Sequence, residues 1–238
     1  MRNLILNALH KNLANLASIL GILPLIVLFG ENGFAFILPL IVFNNFMDDL
    51  DGILAKKLGI ASDTGMRLDN VCDVFAHSVF VMVIGMQYGW ICAAASLFAS
   101  MGIVLRIVGR LDPKSTASNG SMTNELMRHT FFVLVLSQLF NFQPGPYLAA
   151  VFLMHTATML APFPMPFLLR KLTKSTTTIL LLNLVLVVAW LVPITTAFIA
   201  PCFFFGYLLS LAKGRSIWSR RTDVFRVSMA KPADVKPK

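Results

Sequence analysis

The sequence is poor in charged residues and in cysteine. Aspartate, glutamate, lysine and arginine together make up 13% of its 238 residues, against about 25% in a soluble globular domain. Its three cysteines, Cys72, Cys92 and Cys202, lie far apart in apolar sequence, and no CxxC pattern occurs. This argues against a disulfide framework or a cysteine zinc site and favours buried thiols. The sequence also has no internal repeat and no low-complexity tract.

Long apolar runs take the place of the missing charge. Hydrophobic residues make up 57% of the chain, and its mean hydropathy is +0.75. Several runs of about 17 to 24 apolar residues are each long enough to cross a hydrocarbon core of about 30 Å as a helix. The runs are continuous rather than alternating, which favours helices over a closed barrel. The sequence therefore predicts an all-α integral membrane protein.

Eight membrane spans are predicted. A retained first helix is favoured over a signal peptide, because the run ending at Phe29 is long and no small-x-small cleavage pattern follows it. Pro193 alone separates the last two spans, so six or seven spans are the alternative. The predicted spans are residues 12–30, 33–57, 65–87, 90–110, 124–142, 146–162, 175–192 and 194–212.

The distribution of basic residues gives the expected orientation. With eight spans, all twenty lysines and arginines fall on one side of the membrane or in the adjoining helix turns, while the other side keeps Glu31 and no base. Basic residues mark cytoplasmic loops, so both termini are predicted to be cytoplasmic. The net charge of +9 then forms a collar facing anionic lipid, and nothing indicates a nucleic-acid partner.

The same partition suggests three regions. Residues 1–11 are predicted to form an interfacial helix, although an ordinary lead-in to the first span fits equally well. Residues 12–212 form the predicted transmembrane domain. Residues 213–238 are a predicted basic cytoplasmic tail whose end, "AKPADVKPK", is expected to be disordered.

Six of the eleven acidic residues lie in one short stretch, "DDLDGILAKKLGIASDTGMRLDNVCD", residues 48–73. Asp48 and Asp51 are three residues apart near the end of the second span, and Asp69 and Asp73 are four apart near the start of the third. These spacings put each pair on one helical face. Since the connection is short, the two spans are antiparallel neighbours and the four carboxylates are expected to meet at one depth.

Such a cluster needs a cation. An aspartate at the centre of a membrane helix costs about 2.5–3.5 kcal/mol, and neighbouring carboxylates repel one another. Lys56, Lys57 and Arg67 are one possible source of compensation, but they lie mostly on other helix faces and can reach water instead. Hard oxygen ligands without Cys or His suit Mg²⁺ or Mn²⁺, and two such ions can share bridging carboxylates. Binding of divalent metal is therefore favoured over ion pairing with these bases.

Small residues accompany the acids. Gly52 and Ala55 share the face of Asp48 and Asp51, and Gly65 begins the face of Asp69. They would leave room for a bulky phosphorylated ligand beside the metals. Close helix packing through small residues is the alternative.

The arrangement resembles the signature of the CDP-alcohol phosphatidyltransferases, D-x2-D-G-x2-A-R-x8-G-x3-D-x3-D. Every spacing matches, and seven of the eight named residues are identical. This sequence reads Asp48-x2-Asp51-Gly52-x2-Ala55-Lys56-x8-Gly65-x3-Asp69-x3-Asp73. Lys56 stands where the family has Arg, and it keeps the charge but loses the planar fork that grips phosphate, so a weaker phosphate contact is expected.

The resemblance implies a fold, a reaction and a site. The implied fold is a six-helix phosphotransferase core with about two extra C-terminal transmembrane helices, in a homodimer. The implied reaction holds the diphosphate of CDP-diacylglycerol on two divalent cations while an alcohol displaces CMP. The implied metal ligands are Asp48, Asp51, Asp69 and Asp73, with Asp73 also the general base that accepts the alcohol's proton. The implied nucleotide and phosphate contacts are Gly52, Ala55, Lys56 and Gly65.

Two polar residues lie one helical turn deeper than the acids, Asn44 before Asp48 and His77 after Asp73. A role in supporting the ligating carboxylates is one interpretation, since such carboxylates accept hydrogen bonds from neighbouring donors. A buried polar residue satisfied elsewhere is the other.

The segment from Arg106 to Thr130 bears on the acceptor. Most of it reads as a solvated loop, with Ser121 or Thr123 capping the next helix. Arg106 lies a turn inside an apolar run, where an unpaired arginine would be costly. Together with Arg128 it is a candidate to bind the anionic part of an acceptor or a lipid phosphate.

The predicted acceptor is serine. The order of six core spans, a basic turn "LLRKLTKS" and two further spans is similar to the phosphatidylserine synthase branch, as is "VLRIVGRLDP". That branch's Pro-rich stretch near span five is absent here, and glycerol phosphate or an inositol phosphate is the alternative acceptor. Divalent-cation transport and an inactive scaffold are the remaining hypotheses, because intramembrane acids also mark ion pathways.

Overall fold

All regular structure in the described part of the chain is helical. The computed structural model describes residues 10–111, 121–163, 165 and 176–230, without the side chains of 110, 111 and 218–230. Short 3-10 turns at Leu23–Phe29, Gly33–Phe36 and Pro193–Thr195 join the helices. The α-helices of these residues are α1 (Leu13–Ile22), α2 (Ile37–Lys57), α3 (Asp63–Gln87), α4 (Trp90–Leu111), α5 (Thr123–Phe140), α6 (Gly145–Met159), α7 (Thr176–Leu191) and α8 (Thr196–Ala230).

The helices fall where the apolar runs predict them, with two differences. The first span changes from α-helix to 3-10 geometry at Leu23–Phe29, where Pro24 removes a backbone donor. The last helix does not end at residue 212 but continues to Ala230, so most of the predicted tail is helical. Pro193 begins the turn between α7 and α8, which makes the C-terminal apolar region two helices.

Over its described residues, the chain is an all-helical membrane protein. Four helical segments, Gly33–Lys57, Asp63–Gln87, Trp90–Gly109 and Pro193–Ile217, are long and apolar enough to cross a membrane. Leu13–Phe29 and Thr176–Leu191 are shorter apolar helices. Large apolar side chains on the outside, such as Trp90 at 80% exposure, suit contact with lipid. Because α6 has only 15 residues, or about 22 Å of helix, the count of eight spans stays a prediction.

Helix α5 lies at the centre of the fold. It packs against α2, α3, α6 and α8, and its side chains are buried from Thr123 to Ser137 with few interruptions. Phe132 of α5 meets Phe203 of α8 edge to face at 5.1 Å. The α4 and α6 helices approach closely at Gly102, where an added Cβ would lie 3.3 Å from both Met159 Cε and Thr156 Cγ2.

A buried chain of hydrogen bonds attaches α8 to α5 and α6. His129 Nδ1 lies 2.7 Å from His155 Nε2, and His155 Nδ1 lies 3.3 Å from the Tyr207 hydroxyl. The Tyr207 hydroxyl also hydrogen bonds Thr158 Oγ1, which lies 3.1 Å from Ser121 Oγ. In a largely apolar bundle, these side chains find hydrogen-bond partners in one another, although His129 Nε2 has none among the described residues.

The predicted side-chain cap at the start of α5 is wrong, whereas α3 does have one. Ser62 caps α3 by accepting a 3.0 Å bond from the Gly65 backbone N–H. At the start of α5 the N-cap residue is Met122, with no side-chain cap bond. Ser121 is fully buried and bonds Thr158 of α6 instead, through its backbone N–H at 2.9 Å.

Some predictions fall outside the described residues. They concern most of the N-terminal segment (1–9), most of the loop after α4 (112–120), the basic turn before α7 (166–175) and the end of the tail (231–238).

Candidate functional site

Four aspartates, in the C-terminal half of α2 and the N-terminal half of α3, lie close together, as their spacing predicts. One carboxylate oxygen from each of Asp48, Asp51 and Asp69 lies within 4.8 Å of the others. Asp73, one turn further along α3, is in hydrogen-bond contact with Asp48. We call these four residues the aspartate cluster.

The aspartate cluster concentrates negative charge in a partly buried place. Asp51 is 6% exposed, and Asp48, Asp69 and Asp73 are half-buried. Carboxylates this close repel one another unless a proton or a cation lies among them.

The nearest bases along the chain do not supply that cation. Lys56, Lys57 and Arg67 are all exposed, and none forms an ion pair with an acid in the described part of the chain. The described structure therefore does not contain the ion pairs with these bases that were the alternative to metal binding.

Two donors from other helices contact the aspartate cluster, and neither was among the predicted site residues. Asn124 Nδ2 at the start of α5 donates to Asp48 Oδ2 at 2.7 Å. The Ser18 hydroxyl of α1 donates to Asp51 Oδ2. Hydrogen bonds of this kind fix the orientation of carboxylates and tune their strength as metal ligands. Four helices thus contribute to the site.

The donor set fits a small divalent cation. Hard carboxylate oxygens suit Mg²⁺ or Mn²⁺, and the group within 4.8 Å contains neither cysteine nor histidine. Opposite ligands of one Mg²⁺ at about 2.1 Å are about 4.2 Å apart, so little movement would bring the three oxygens onto one ion. Asp48, Asp51, Asp69 and Asp73 are the residues that would hold metal.

The small residues of the signature have different surroundings. An added Cβ at Gly52 would meet no atom within 4 Å, so open space borders the aspartate cluster there. At Gly65 an added Cβ would lie 3.0 Å from Asn15 Oδ1, so this glycine lets α3 lie close to α1. Ala55 is half-buried and Lys56 is exposed. Room for a ligand is found beside Gly52 rather than Gly65.

The two residues predicted one turn deeper are buried but differ in their contacts. Asn44 Nδ2 donates to the Gly21 carbonyl of α1 at 3.4 Å, so Asn124, and not Asn44, supplies an amide to the aspartate cluster. His77 is 3% exposed and faces the charge of Arg128.

Both predicted arginines are buried inside the bundle. Arg106 is 3% exposed and Arg128 is 8% exposed. Arg106 of α4 and Glu125 of α5 both lie within electrostatic range of Tyr207. Arg128 pairs with Glu125, Nη1 to Oε1, at 3.0 Å. Whether either binds an acceptor or a lipid phosphate stays a prediction.

Three polar residues next to the aspartate cluster were missed. Asp49 Oδ2 accepts a 2.7 Å bond from Asn183 Nδ2 of α7, and Asn183 Oδ1 accepts a 2.9 Å bond from Asn45 Nδ2. A signal for Asn183 exists in the sequence, since it is the one amide in the apolar run "ILLLNLVLVVAWL". Intramembrane polar residues rarely lack a partner.

Fold and site together define a helical membrane protein with a partly buried carboxylate cluster between two neighbouring helices. Comparisons with protein-family models, with curated proteins and with solved structures find no match for this chain. The resemblance to the CDP-alcohol phosphatidyltransferases rests on the quoted residues and spacing.

Proposed function

We propose that this protein transfers the phosphatidyl group of CDP-diacylglycerol to a small alcohol and releases CMP. The observation that carries the proposal is the convergence of the signature's acids, with oxygens of Asp48, Asp51 and Asp69 within 4.8 Å of one another. Two divalent cations, Mg²⁺ or Mn²⁺, belong to the proposal, as do the six-helix core with two further C-terminal helices and a homodimer.

The proposed reaction is a direct displacement at phosphorus, with Asp73 as the base. The alcohol oxygen attacks the phosphorus that carries diacylglycerol, and the bond from this phosphorus to the CMP oxygen breaks. Asp73 accepts the alcohol's proton, as a carboxylate positioned beside the reacting hydroxyl can. Bound divalent cations neutralise the diphosphate and make CMP a better leaving group. No covalent enzyme intermediate is needed.

The surroundings of the site support this chemistry. Open space beside Gly52 leaves room for the nucleotide. Asn124 and Ser18 hold Asp48 and Asp51 in fixed orientations, which preorganises the ligand set. The distribution of lysines and arginines along the sequence favours a cytoplasmic location for the site and both termini, which is part of the proposal.

Release of CMP tests the proposal directly. Full-length protein in nanodiscs is given CDP-diacylglycerol, Mn²⁺ or Mg²⁺, and in turn L-serine, glycerol 3-phosphate and an inositol phosphate. We expect CMP release that requires an acceptor and stops with EDTA. The absence of CMP with every acceptor and both metals would overturn the proposal.

Divalent-cation transport is separated by the same preparation. A transporter would load proteoliposomes with Mn²⁺ and release no CMP. A pathway across the bilayer needs polar groups and broken helices near its middle, whereas the two helices that carry the aspartate cluster are unbroken, from Ile37 to Lys57 and from Asp63 to Gln87.

A further inference from the structure

A second group of polar residues adjoins the aspartate cluster. Its members come from four helices, and apart from Asp49, which is half-buried, all are buried. We call it the Arg128 cluster, and it consists of Asn45, Asp49, His77, Glu125, Arg128 and Asn183.

Hydrogen bonds connect one half of the Arg128 cluster. Asn183 donates to Asp49 at 2.7 Å and accepts from Asn45 at 2.9 Å. Asn45 Nδ2 also lies 3.3 Å from Asp49 Oδ2. Two amides therefore hold one carboxylate in place between α2 and α7.

The other half is built around a buried cation. Arg128 donates from Nη1 to Glu125 at 3.0 Å and from Nη2 to Asn45 Oδ1 at 3.4 Å. Its charge also reaches Asp49 and His77. The guanidinium thus pairs with the carboxylate of Glu125 and is within electrostatic range of the carboxylate of Asp49.

Two buried nitrogens of this group lack a partner. Arg128 Nε and His77 Nδ1 make no hydrogen bond to any described residue, although Arg128 is 8% and His77 3% exposed. Buried polar atoms are nearly always satisfied, and leaving one without a partner is costly. Both nitrogens are therefore open to a hydrogen-bonding group from a ligand.

The Arg128 cluster lies beside the proposed reaction centre. Asp49 follows Asp48 in α2, and Asp48 contacts Asp73. His77 is one helical turn from Asp73 in α3. A small molecule held by the Arg128 cluster would therefore lie near the aspartate cluster.

The charges of the Arg128 cluster select for a ligand that carries both signs. A guanidinium with an open Nε position suits a carboxylate, and a carboxylate held by two amides suits an ammonium. A phosphorylated alcohol would add two negative charges where Arg128 is already paired with Glu125 and the aspartate cluster is adjacent.

We propose that the Arg128 cluster is the acceptor subsite and that it binds a zwitterionic amino alcohol, of which L-serine is the smallest. This assignment rests on the proposed function. Asp49 takes the ammonium group, Arg128 takes the carboxylate, and Asn45 and Asn183 position Asp49. Helix α7, the first of the two C-terminal helices, thereby contributes to acceptor choice.

Ligand binding without turnover tests the subsite. Saturation-transfer NMR on the full-length protein in nanodiscs compares L-serine with ethanolamine, 3-hydroxypropanoate and glycerol 3-phosphate. We expect the strongest signal for L-serine, with the two singly charged analogues each weaker because one contact is lost. No signal for L-serine, or a stronger one for glycerol 3-phosphate, would overturn the assignment.

The two proposals can fail separately. Binding of L-serine without CMP release in any assay would keep the subsite as a binding site and overturn the proposed transferase. CMP release with glycerol 3-phosphate and none with L-serine would keep the transferase and overturn the subsite.

A matched pair of variants locates the ammonium contact. Asp49→Asn should raise the KM for L-serine about 10-fold or more, the usual worth of a charge-assisted hydrogen bond, with the KM for CDP-diacylglycerol unchanged. It should leave binding of 3-hydroxypropanoate, which has no ammonium, as it was. Asp63→Asn, an exposed acid at the start of α3, is the control. An Asp49→Asn protein that keeps the wild-type KM for L-serine contradicts the assignment.

Discussion

Asn124 Nδ2 donates a 2.7 Å hydrogen bond to Asp48 Oδ2 across 76 positions of the chain. The bond ties the start of the central helix α5 to the aspartate cluster on α2. The bond uses only Oδ2, so the other carboxylate oxygen of Asp48 can still bind a cation. The amide of Asn124 is neutral and adds no charge to the site.

Replacing Asn124 with Ala should weaken metal binding. Loss of such a supporting bond commonly costs about 10- to 100-fold in metal affinity, so the Mn²⁺ concentration for half-maximal CMP release should rise by that factor. Asn32→Ala, at an exposed position before α2, serves as the control. An unchanged Mn²⁺ requirement in the Asn124 variant would remove this residue from the site.

Metal removal and Asp69→Asn should have opposite effects on thermal stability. Repulsion among carboxylates destabilises the metal-free protein, so Asp69→Asn should raise Tm in EDTA. Mn²⁺ at about 100 times its Kd should stabilise the wild type by about 2.7 kcal/mol and the variant hardly at all. Equal Mn²⁺ shifts in both proteins would show that Asp69 is not a ligand.

Asp73→Asn should abolish most turnover. Loss of a general base typically costs about 10²- to 10⁴-fold in rate, and the fall should appear in kcat. The protein should still fold, as judged by its Tm in EDTA, and Asp63→Asn should turn over at the wild-type rate. Retention of most activity by the Asp73 variant would contradict its assignment as the base.

Gly52 and Gly102 should respond differently to a larger side chain. Gly52→Leu should leave Tm nearly unchanged, because a Cβ there meets no atom within 4 Å, but it should fill the space left for the nucleotide and lower CMP release. Gly102→Leu should lower Tm, since its Cβ would press on Met159 and Thr156 of α6, and overpacking typically costs about 1–3 kcal/mol. A large fall in Tm for Gly52→Leu would mean that this face is packed.

Tyr207→Phe should destabilise the attachment of α8. The change removes the hydroxyl that bonds Thr158 and His155, and buried groups left without a partner cost about 1–3 kcal/mol. Tm should fall while the KM values of both substrates stay constant. Tyr147→Phe, at 58% exposure, controls for loss of a hydroxyl, and equal Tm values for the two variants would contradict the prediction.

Sequence periodicity predicted the helices and the meeting of the acids because both depend on local spacing. Asp48 and Asp51 must share a helical face, and a short connection brings Asp69 and Asp73 to the same depth. These features are set within 26 residues, and long-range packing only had to preserve them.

Contacts between residues far apart in the sequence could not be predicted from local spacing. Asn44 and Asn45 are consecutive and therefore point about 100° apart on the helix, yet no local pattern says which one faces a partner. The structure turns Asn44 to Gly21 and Asn45 to Asn183, 138 positions away. The predicted cap at Ser121 failed for the same reason, because α6 offered it a buried partner.

The bond between Asp49 and Asn183 has a consequence for biogenesis. The two residues are 134 positions apart, so at a synthesis rate of 5–20 residues per second the ribosome needs about 7–27 s to deliver the amide after the acid. During that interval the Asp49 carboxylate has Asn45 of its own helix as a donor but lacks the amide of Asn183. Its surroundings are therefore complete only after α7 has been synthesised.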